Sequence, residues 1–348
     1  MCRVVASLLL GSPAPPTRAW TKAALTLSDA LGFGVPYPLA VPVRRRAVTV
    51  DGTTGDLYLP GRPGPPMVML SGAVEEGKDD PRFVRLATAV ARSGRLVFVP
   101  DLELARKRLV RADIERIVRA VAALHHRLPY GTRVGMVGIS YGGSLGLVAA
   151  ADPRLKGRLA QVVTFGAYYD VLGVIQAAAT GFSLVGQRRL PWMHNTEAAQ
   201  VLRLVSEHLV GEGEYVQLAR AFARGREPAA LPRELRAVYN LVTCDDPDRT
   251  AELAHELGAH ARAFIGDFSP RAVADRITVP VVALHSRHDP AVPYAELLRM
   301  KEGMPHVTDV TLKSFTHVDL DGGAPLKDRV GDARAMWRFA ALVLDQPT

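Results

Sequence analysis

The sequence predicts an α/β fold, a mostly parallel central sheet with helices on both faces, and three observations predict it. Short continuous apolar runs at residues 67–70, 96–99, 134–137 and 162–165 have the pattern of strands buried on both faces of a parallel sheet. Helical periodicity fills the gaps, so strand and helix alternate along the chain. From Tyr168 to about Phe268 the strand pattern lapses into segments rich in Ala, Leu, Arg and Glu, before runs at 280–284 and 307–312 resume it. A helical insertion over about 168–268 therefore interrupts one sheet.

Residues 1–45 read as an N-terminal leader or packing segment and 46–348 as one domain. In the leader, Arg3 precedes an apolar run at 4–10, followed by Gly11 and the proline-rich stretch 12–16. That run is short for a signal peptide and no small-residue cleavage site follows cleanly, so packing is the expectation and secretion the alternative. Next come short strands at 46–50 and 56–59, joined by the turn residues Asp51-Gly52-Thr53-Thr54-Gly55. A helix over 81–93 carries Phe83, Leu86, Val90 and Ala91 on one face. A second, over 113–127, does the same with Ile114, Ile117, Val118, Val121 and Leu124. Small residues at 144–151 suit a third, and 334–344 reads as the last. There is no internal repeat.

The chain of 348 residues is 48% hydrophobic and 22% charged, which sets aside disordered and disulfide-scaffold classes. Its net charge of +8 comes from 43 basic and 35 acidic residues, and only seven of the basic ones are lysines. Two clusters, Arg44 to Arg46 and Arg106, Lys107, Arg108 with Arg111, read as solvated basic faces. No nucleic-acid-binding motif accompanies them, so no nucleic-acid partner is expected. Cys2 and Cys244 lie far apart, outside any C-x-x-C pair, and no membrane-length apolar run occurs. The expected location is cytoplasmic, with no cofactor and no metal.

The run at 134–137 leads into Gly138-Ile139-Ser140-Tyr141-Gly142-Gly143 and then the small-residue stretch. This is G-x-S-x-G in the strand–turn–helix context it requires. The sharp turn strains the serine backbone and needs neighbours without bulk, and it leaves the hydroxyl at a helix N-terminus. A hydroxyl is a poor nucleophile at neutral pH, so a base must stand beside it and an acid must orient the base. Asp289 follows the run at 280–284, in the loop His285-Ser286-Arg287-His288-Asp289-Pro290, where open α/β sheets place ligands. His317 follows the run at 307–312 in the next loop on the same edge. Ser140, Asp289 and His317 are therefore expected to converge.

These three ordered signatures resemble the α/β-hydrolase superfamily over residues 46–344, nearest its dienelactone-hydrolase-like and single-domain esterase branches. The resemblance implies Ser140 as nucleophile, His317 as general base and Asp289 as its orienting carboxylate. Dienelactone hydrolases carry cysteine at the elbow, where this chain has Ser140. The resemblance also implies an oxyanion hole made by the amides of Tyr141 and of Ala73, in the loop Ser71-Gly72-Ala73-Val74. Ser71 stands where the superfamily often has histidine. Asp170 is the main rival for the acid, with capping of the first insertion helix as its other reading, and Asp101 is a weaker rival.

Two motifs are decoys. Residues 72–78 match G-x-x-x-x-G-K, but Asp79 replaces the Ser or Thr that would hold magnesium, and Glu75 and Glu76 would repel phosphates. His255 and His260 are spaced i and i+5, which points them apart on a helix. Tyr168, Tyr169, Trp192 and Met193 in the insertion are candidate pocket residues that would roof the serine; the competing reading is that they bind the cap to the body. The expected activity is metal-independent cleavage of a small-molecule carboxylic ester. A prolyl-oligopeptidase-like peptidase or amidase, or a non-catalytic hydrolase-fold binding protein, stand as alternatives. Oligomeric state stays open.

Overall fold

The computed structural model describes residues 18–31, 42–127, 132–192, 196–224, 231–317, 319–320 and 324–344. The apolar run at 4–10, Cys2 and Met193 lie outside them. The chain opens with helix α1 (Arg18–Ala30), then strands β1 (Val43–Val50), β2 (Thr53–Pro60) and β3 (Pro66–Leu70). Helix α2 (Pro81–Arg92), β4 (Leu96–Pro100), α3 (Arg111–His126), β5 (Val134–Ile139), α4 (Tyr141–Ala150) and β6 (Leu159–Phe165) follow in alternation. The eight-stranded sheet has the order β1-β2-β4-β3-β5-β6-β9-β10, where β9 spans Val281–Ser286 and β10 Val307–Leu312. Strand β2 runs antiparallel to both neighbours, and the pairs from β4 to β10 are parallel.

Alternation along the central strands explains why they read as unbroken apolar runs. Val68 and Leu70 enter the core cluster on one sheet face, with Met136, Val162 and residues of α3 and α4. Met67 and Met69 enter the other, with Val137, Val163 and residues of α2. Helices cover both faces, so neither set of alternating positions meets water.

The opening hairpin is tighter than the sequence suggested. Its turn is Asp51-Gly52 alone, with φ of 46° and 72°, the two-residue geometry whose twist matches the strands. Thr53 to Gly55, read as turn residues, belong to β2, because paired threonines suit a strand. A side chain at Gly55 would strike the Val99 carbonyl oxygen across the ladder.

Between β6 and β9 lie helices α5 (Val171–Thr180), α6 (Thr196–Val210), α7 (Glu212–Arg224), α8 (Arg233–Val242), α9 (Thr250–His255) and α10 (Ala259–Phe268). The segment also holds an antiparallel hairpin, β7 (Phe182–Val185) with β8 (Arg188–Pro191), which the expectation of helix alone missed. Its strands have four residues each, too short to show a period. After β9 come α11 (Ala295–Gly303), β10, the two-residue strands β11 (Phe315–Thr316) and β12 (Asp319–Leu320), and α12 (Leu326–Leu344). The last helix begins eight residues before the expected 334, because its charged first turns hide the apolar stripe. No described helix is long and apolar enough to cross a membrane.

The loop from β4 to α3 is held from below by Asp113, which is 0% exposed. Its carboxylate accepts the amides of Glu103 and Leu104, each at 3.0 Å, and Arg116 Nη1 at 2.6 Å. Asp113→Ala would leave two buried donors without acceptors, at about 1–3 kcal/mol each. We expect a loss of stability of about 3 kcal/mol, read as a lower urea midpoint at unchanged m-value.

Candidate active site

Ser140 stands between β5 and α4 with φ 52° and ψ −130°, a conformation that a residue with a Cβ holds only under strain. Its neighbours make the turn possible. A Cβ on Gly138 would fall on the Gly143 backbone, and one on Gly142 on the Ser71 carbonyl oxygen. The Ser140 amide is anchored on the Phe165 carbonyl at 2.7 Å. Tyr141 opens α4, so its amide belongs to the first turn, which has no intrahelical acceptor. Gly72 approaches the serine from the other side, an added Cβ there lying 3.3 Å from Ser140 Cβ, and Ala73 follows it.

The histidine and the acid meet from two other loops. His317 Nδ1 lies 2.7 Å from Asp289 Oδ2. The other carboxylate oxygen, Oδ1, accepts the amides of Ala291 at 2.9 Å and Val292 at 2.8 Å, and Trp192 Nε1 donates to the Asp289 carbonyl at 2.7 Å. Asp289 is 2% exposed. Burial pushes its pKa up, but the charge and hydrogen bond of His317, then His285 and the Val292 amide, outweigh it and hold the carboxyl below its ordinary 3.8. An ionised Asp289 fixes the Nδ1–H tautomer of His317 and leaves Nε2 as the basic nitrogen.

Asp170, the rival acid, is placed elsewhere. It caps α5 by accepting the Leu172 amide at 3.1 Å, and it also accepts Arg271 Nη1 at 2.8 Å and Ser269 Oγ at 3.3 Å. Asp101 lies 3.7 Å from Lys78, the lysine of the phosphate-loop decoy, which also pairs with Asp56 and Asp79.

Ser71 to Val74, Ser140, Tyr141 and His317 line one cavity of about 1570 Å³. The aromatic residues expected to roof it are placed differently. Tyr168 and Tyr169 are core residues, and the Tyr168 ring meets that of Tyr141 edge-on at 5.0 Å. Trp192 is outside the cavity lining and braces the acid loop instead.

Two contributors went unseen in the sequence. Gly166, with φ +64°, ends β6 beneath the His317–Asp289 pair; a Cβ there would come within 2.8 Å of His317 Cε1 and 3.3 Å of Asp289 Oδ2. A glycine at the end of the strand beside the elbow was its only signal. His285 donates from Nε2 to the Val292 carbonyl at 3.0 Å, with Asp289 Oδ2 at 3.5 Å. No sequence pattern marks it.

Among solved structures the chain is similar to the HSL-homolog EstE7 from a metagenome library, with 12% identity, TM-score 0.51, 99% of this chain and 98% of that one covered. It is also similar to the acylaminoacyl peptidase of Pyrococcus horikoshii, with 14% identity and TM-score 0.50 over 89% of this chain; it spans only 43% of the peptidase. No family model matches the chain, and no curated protein does.

Burial holds His285 below its ordinary 6.5, against the pull of Asp289 and Val292. As pH falls through 6.5, the unfolded chain therefore takes up a proton that the folded one refuses, and stability falls with pH until the folded pKa is passed. We expect denaturant stability to drop between pH 7 and pH 5, and His285→Asn to flatten that slope even where it lowers overall stability. An unchanged slope in the variant would assign the drop to other groups.

Proposed function

We propose that this chain, which has the α/β-hydrolase fold, is a serine hydrolase that cleaves carboxylic esters through an acyl-enzyme. The observation that supports it most is the 2.7 Å pairing of His317 Nδ1 with a buried Asp289 in the loops beside the strained Ser140 turn. In this reading His317 Nε2 takes the Ser140 proton as Oγ attacks the ester carbonyl. The amides of Tyr141 and Ala73 receive the developing oxyanion, aided by the N-terminal end of α4. Collapse breaks the bond to the leaving oxygen, which departs with the proton from His317. Water then adds to the acyl carbon, its proton passes through His317 to Ser140, and the acid leaves. The insertion between β6 and β9 acts as a cap in this scheme, with α6 and α10 contributing to the wall of the cavity that Ser140 lines.

Peptidase activity is the second reading. It draws on the shared fold with the Pyrococcus enzyme, but this chain spans less than half of that protein.

Ser140→Ala removes the attacking hydroxyl without adding bulk. It should lower kcat for ester hydrolysis by at least about 10⁴ and abolish fluorophosphonate labelling, while the melting curve stays near wild type. Turnover like that of wild type in the purified variant would end the assignment.

Asp289→Asn and Asp170→Asn separate the two carboxylates. Losing the group that orients His317 should cost on the order of 10⁴ in kcat with little change in KM. Asn at position 170 keeps an oxygen for the Leu172 amide, so kcat should stay within about threefold of wild type and the cost should be stability, about 1 kcal/mol or less from the lost Arg271 pair. A reversed pattern in matched assays would move the acid to Asp170.

A further inference from the structure

The cavity at Ser140 has two chemically different ends. One lies under the sheet face that carries Val137 and Ile139 of β5, paired with Val163 and Phe165 of β6. On its far side stand α12, through Met336, Phe339 and Ala340, and α1, through Leu27 and Ala30. Helix α1 packs on both α2 and α12, and the Arg92–Asp29 ion pair at 2.7 Å fastens it to α2. The central-strand residues Ile139 and Phe165 remain only half-buried, although their strands are interior, because they face this space. Ile139 immediately precedes Ser140, so the apolar arm starts beneath the nucleophile. Along α12 it runs from Met336 to Leu344, about 12 Å at 1.5 Å per residue.

The other end is cationic. Of the seven Arg or Lys residues that line the whole cavity, against three Asp or Glu, five stand where the loop 106–111 meets α6 and α10: Arg106, Lys107, Arg108, Arg111 and Arg203. Arg82 and Arg85 belong to the N-terminal half of α2. Each acid is paired: Asp80 with Arg82, Glu207 with Arg203, Asp267 with Arg111. Arg106 pairs with Glu103. Lys107 and Arg85 are exposed and have no carboxylate within ion-pair distance among the described residues. The loop that carries Lys107 is held over the site. Its Leu109 amide donates to His208 Nε2 at 2.9 Å, and a Cβ on Gly77, in the loop that begins with Ser71, would touch Ala105 at 2.6 Å. The second basic cluster of the sequence is thus part of the cavity wall and more than a solvated face.

We propose that the substrate is a medium- to long-chain acyl ester or thioester whose leaving group bears phosphate, which deepens and rests on the serine-hydrolase reading. The orientation follows from the reaction. The acyl group remains on Ser140 after the first step and needs an enclosed apolar arm, worth about 0.8 kcal/mol per methylene removed from water. The leaving group must escape after bond cleavage, and the exposed rim at Lys107 and Arg85 offers it charge without enclosure. Exposed Lys and Arg side chains on the wall of one cavity suit phosphate oxygens.

The full-length protein is first labelled with a fluorophosphonate and assayed on p-nitrophenyl esters from butanoyl to dodecanoyl. Labelling at Ser140 with kcat/KM rising by about tenfold or more along the series is the expected result. Ala340→Trp and, on a separate helix, Ala30→Trp should move the optimum to the short esters. Dodecanoyl coenzyme A and dodecanoyl glycerophosphate are then compared with uncharged dodecanoyl glycerol, which also tells a nucleotide-bearing thiol from a simple phosphate ester. At least one charged substrate should be preferred by about tenfold, a preference that salt weakens and that Lys107→Glu with Arg85→Glu removes. Labelling and short-ester turnover with a flat chain-length profile, or a charge preference that the reversal leaves intact, would overturn the proposal and leave the hydrolase reading standing. Absence of both labelling and turnover would overturn the two together.

Discussion

The close approach of three backbone segments around Ser140 is the constraint on which the site depends. The β5–α4 turn and the loop after β3 come together so tightly that Gly138 and Gly142 have no room for a Cβ, and at the end of β6 Gly166 has none beneath the His317 ring. Strain at a serine with positive φ costs about 1–3 kcal/mol, and it persists only because parallel pairing of β5 with β3 and β6 holds the flanking strands. The same crowding gives the geometry its use. It brings Gly72 and Ala73 to one side of the serine and the Asp289–His317 pair over Gly166 on the other. A bulkier residue at any of these glycines would separate groups whose chemistry requires hydrogen-bond distance.

Around this centre, buried carboxylates keep the loops in place. Asp113 holds the loop after β4, Asp289 its own acid loop and His317, and Asp332 accepts the Lys313 amide at 2.8 Å and the Ser314 hydroxyl at 2.7 Å just before the histidine. Glu296 on α11 accepts the amides of Tyr169 and Asp170 at 2.9 and 2.8 Å, which fastens the start of the segment between β6 and β9 to the body. Four loops at the C-terminal edge of the sheet are thus positioned by acceptors that would each leave buried donors unpaired if lost. Rigid loops of this kind limit the reorganisation that proton transfer would otherwise require.

Charge is distributed with the same economy. Most arginines near the cavity are matched to a carboxylate, which leaves Lys107 and Arg85 as its exposed cationic positions without an ion-pair partner among the described residues. Apolar side chains of the sheet face and α12 occupy the opposite end. A single cavity therefore offers one apolar environment and another with positive charge, a combination suited to amphipathic ligands.

The central parallel strands were legible as elements because burial on both faces leaves unbroken apolar runs, a signal contained in four to seven adjacent residues; their order in the sheet, and the three residues that β6 adds before 162, depend on pairing with distant strands. Ser140 and Asp289 could be read for a related reason: each follows such a run at the edge where loops converge, and glycine beside the serine marks the strained turn, whereas His317 follows an edge strand of mixed composition, VTDVTL. What escaped the sequence depends on partners distant along the chain. Whether Thr53 to Gly55 were turn or strand was decided by pairing with β1 and β4, and whether Tyr168 and Tyr169 faced a ligand or the core was decided by packing of the Tyr168 ring against Tyr141 and of the Tyr169 ring against Gly303. Gly166 and His285 acquire their roles only beneath and beside a pair assembled from residues 289 and 317. The cluster at Arg106 to Arg111 has the same composition as any solvated basic face; only the anchoring of its loop on His208 and Asp267 turns it toward the cavity, because local charge carries no information about which surface lies opposite.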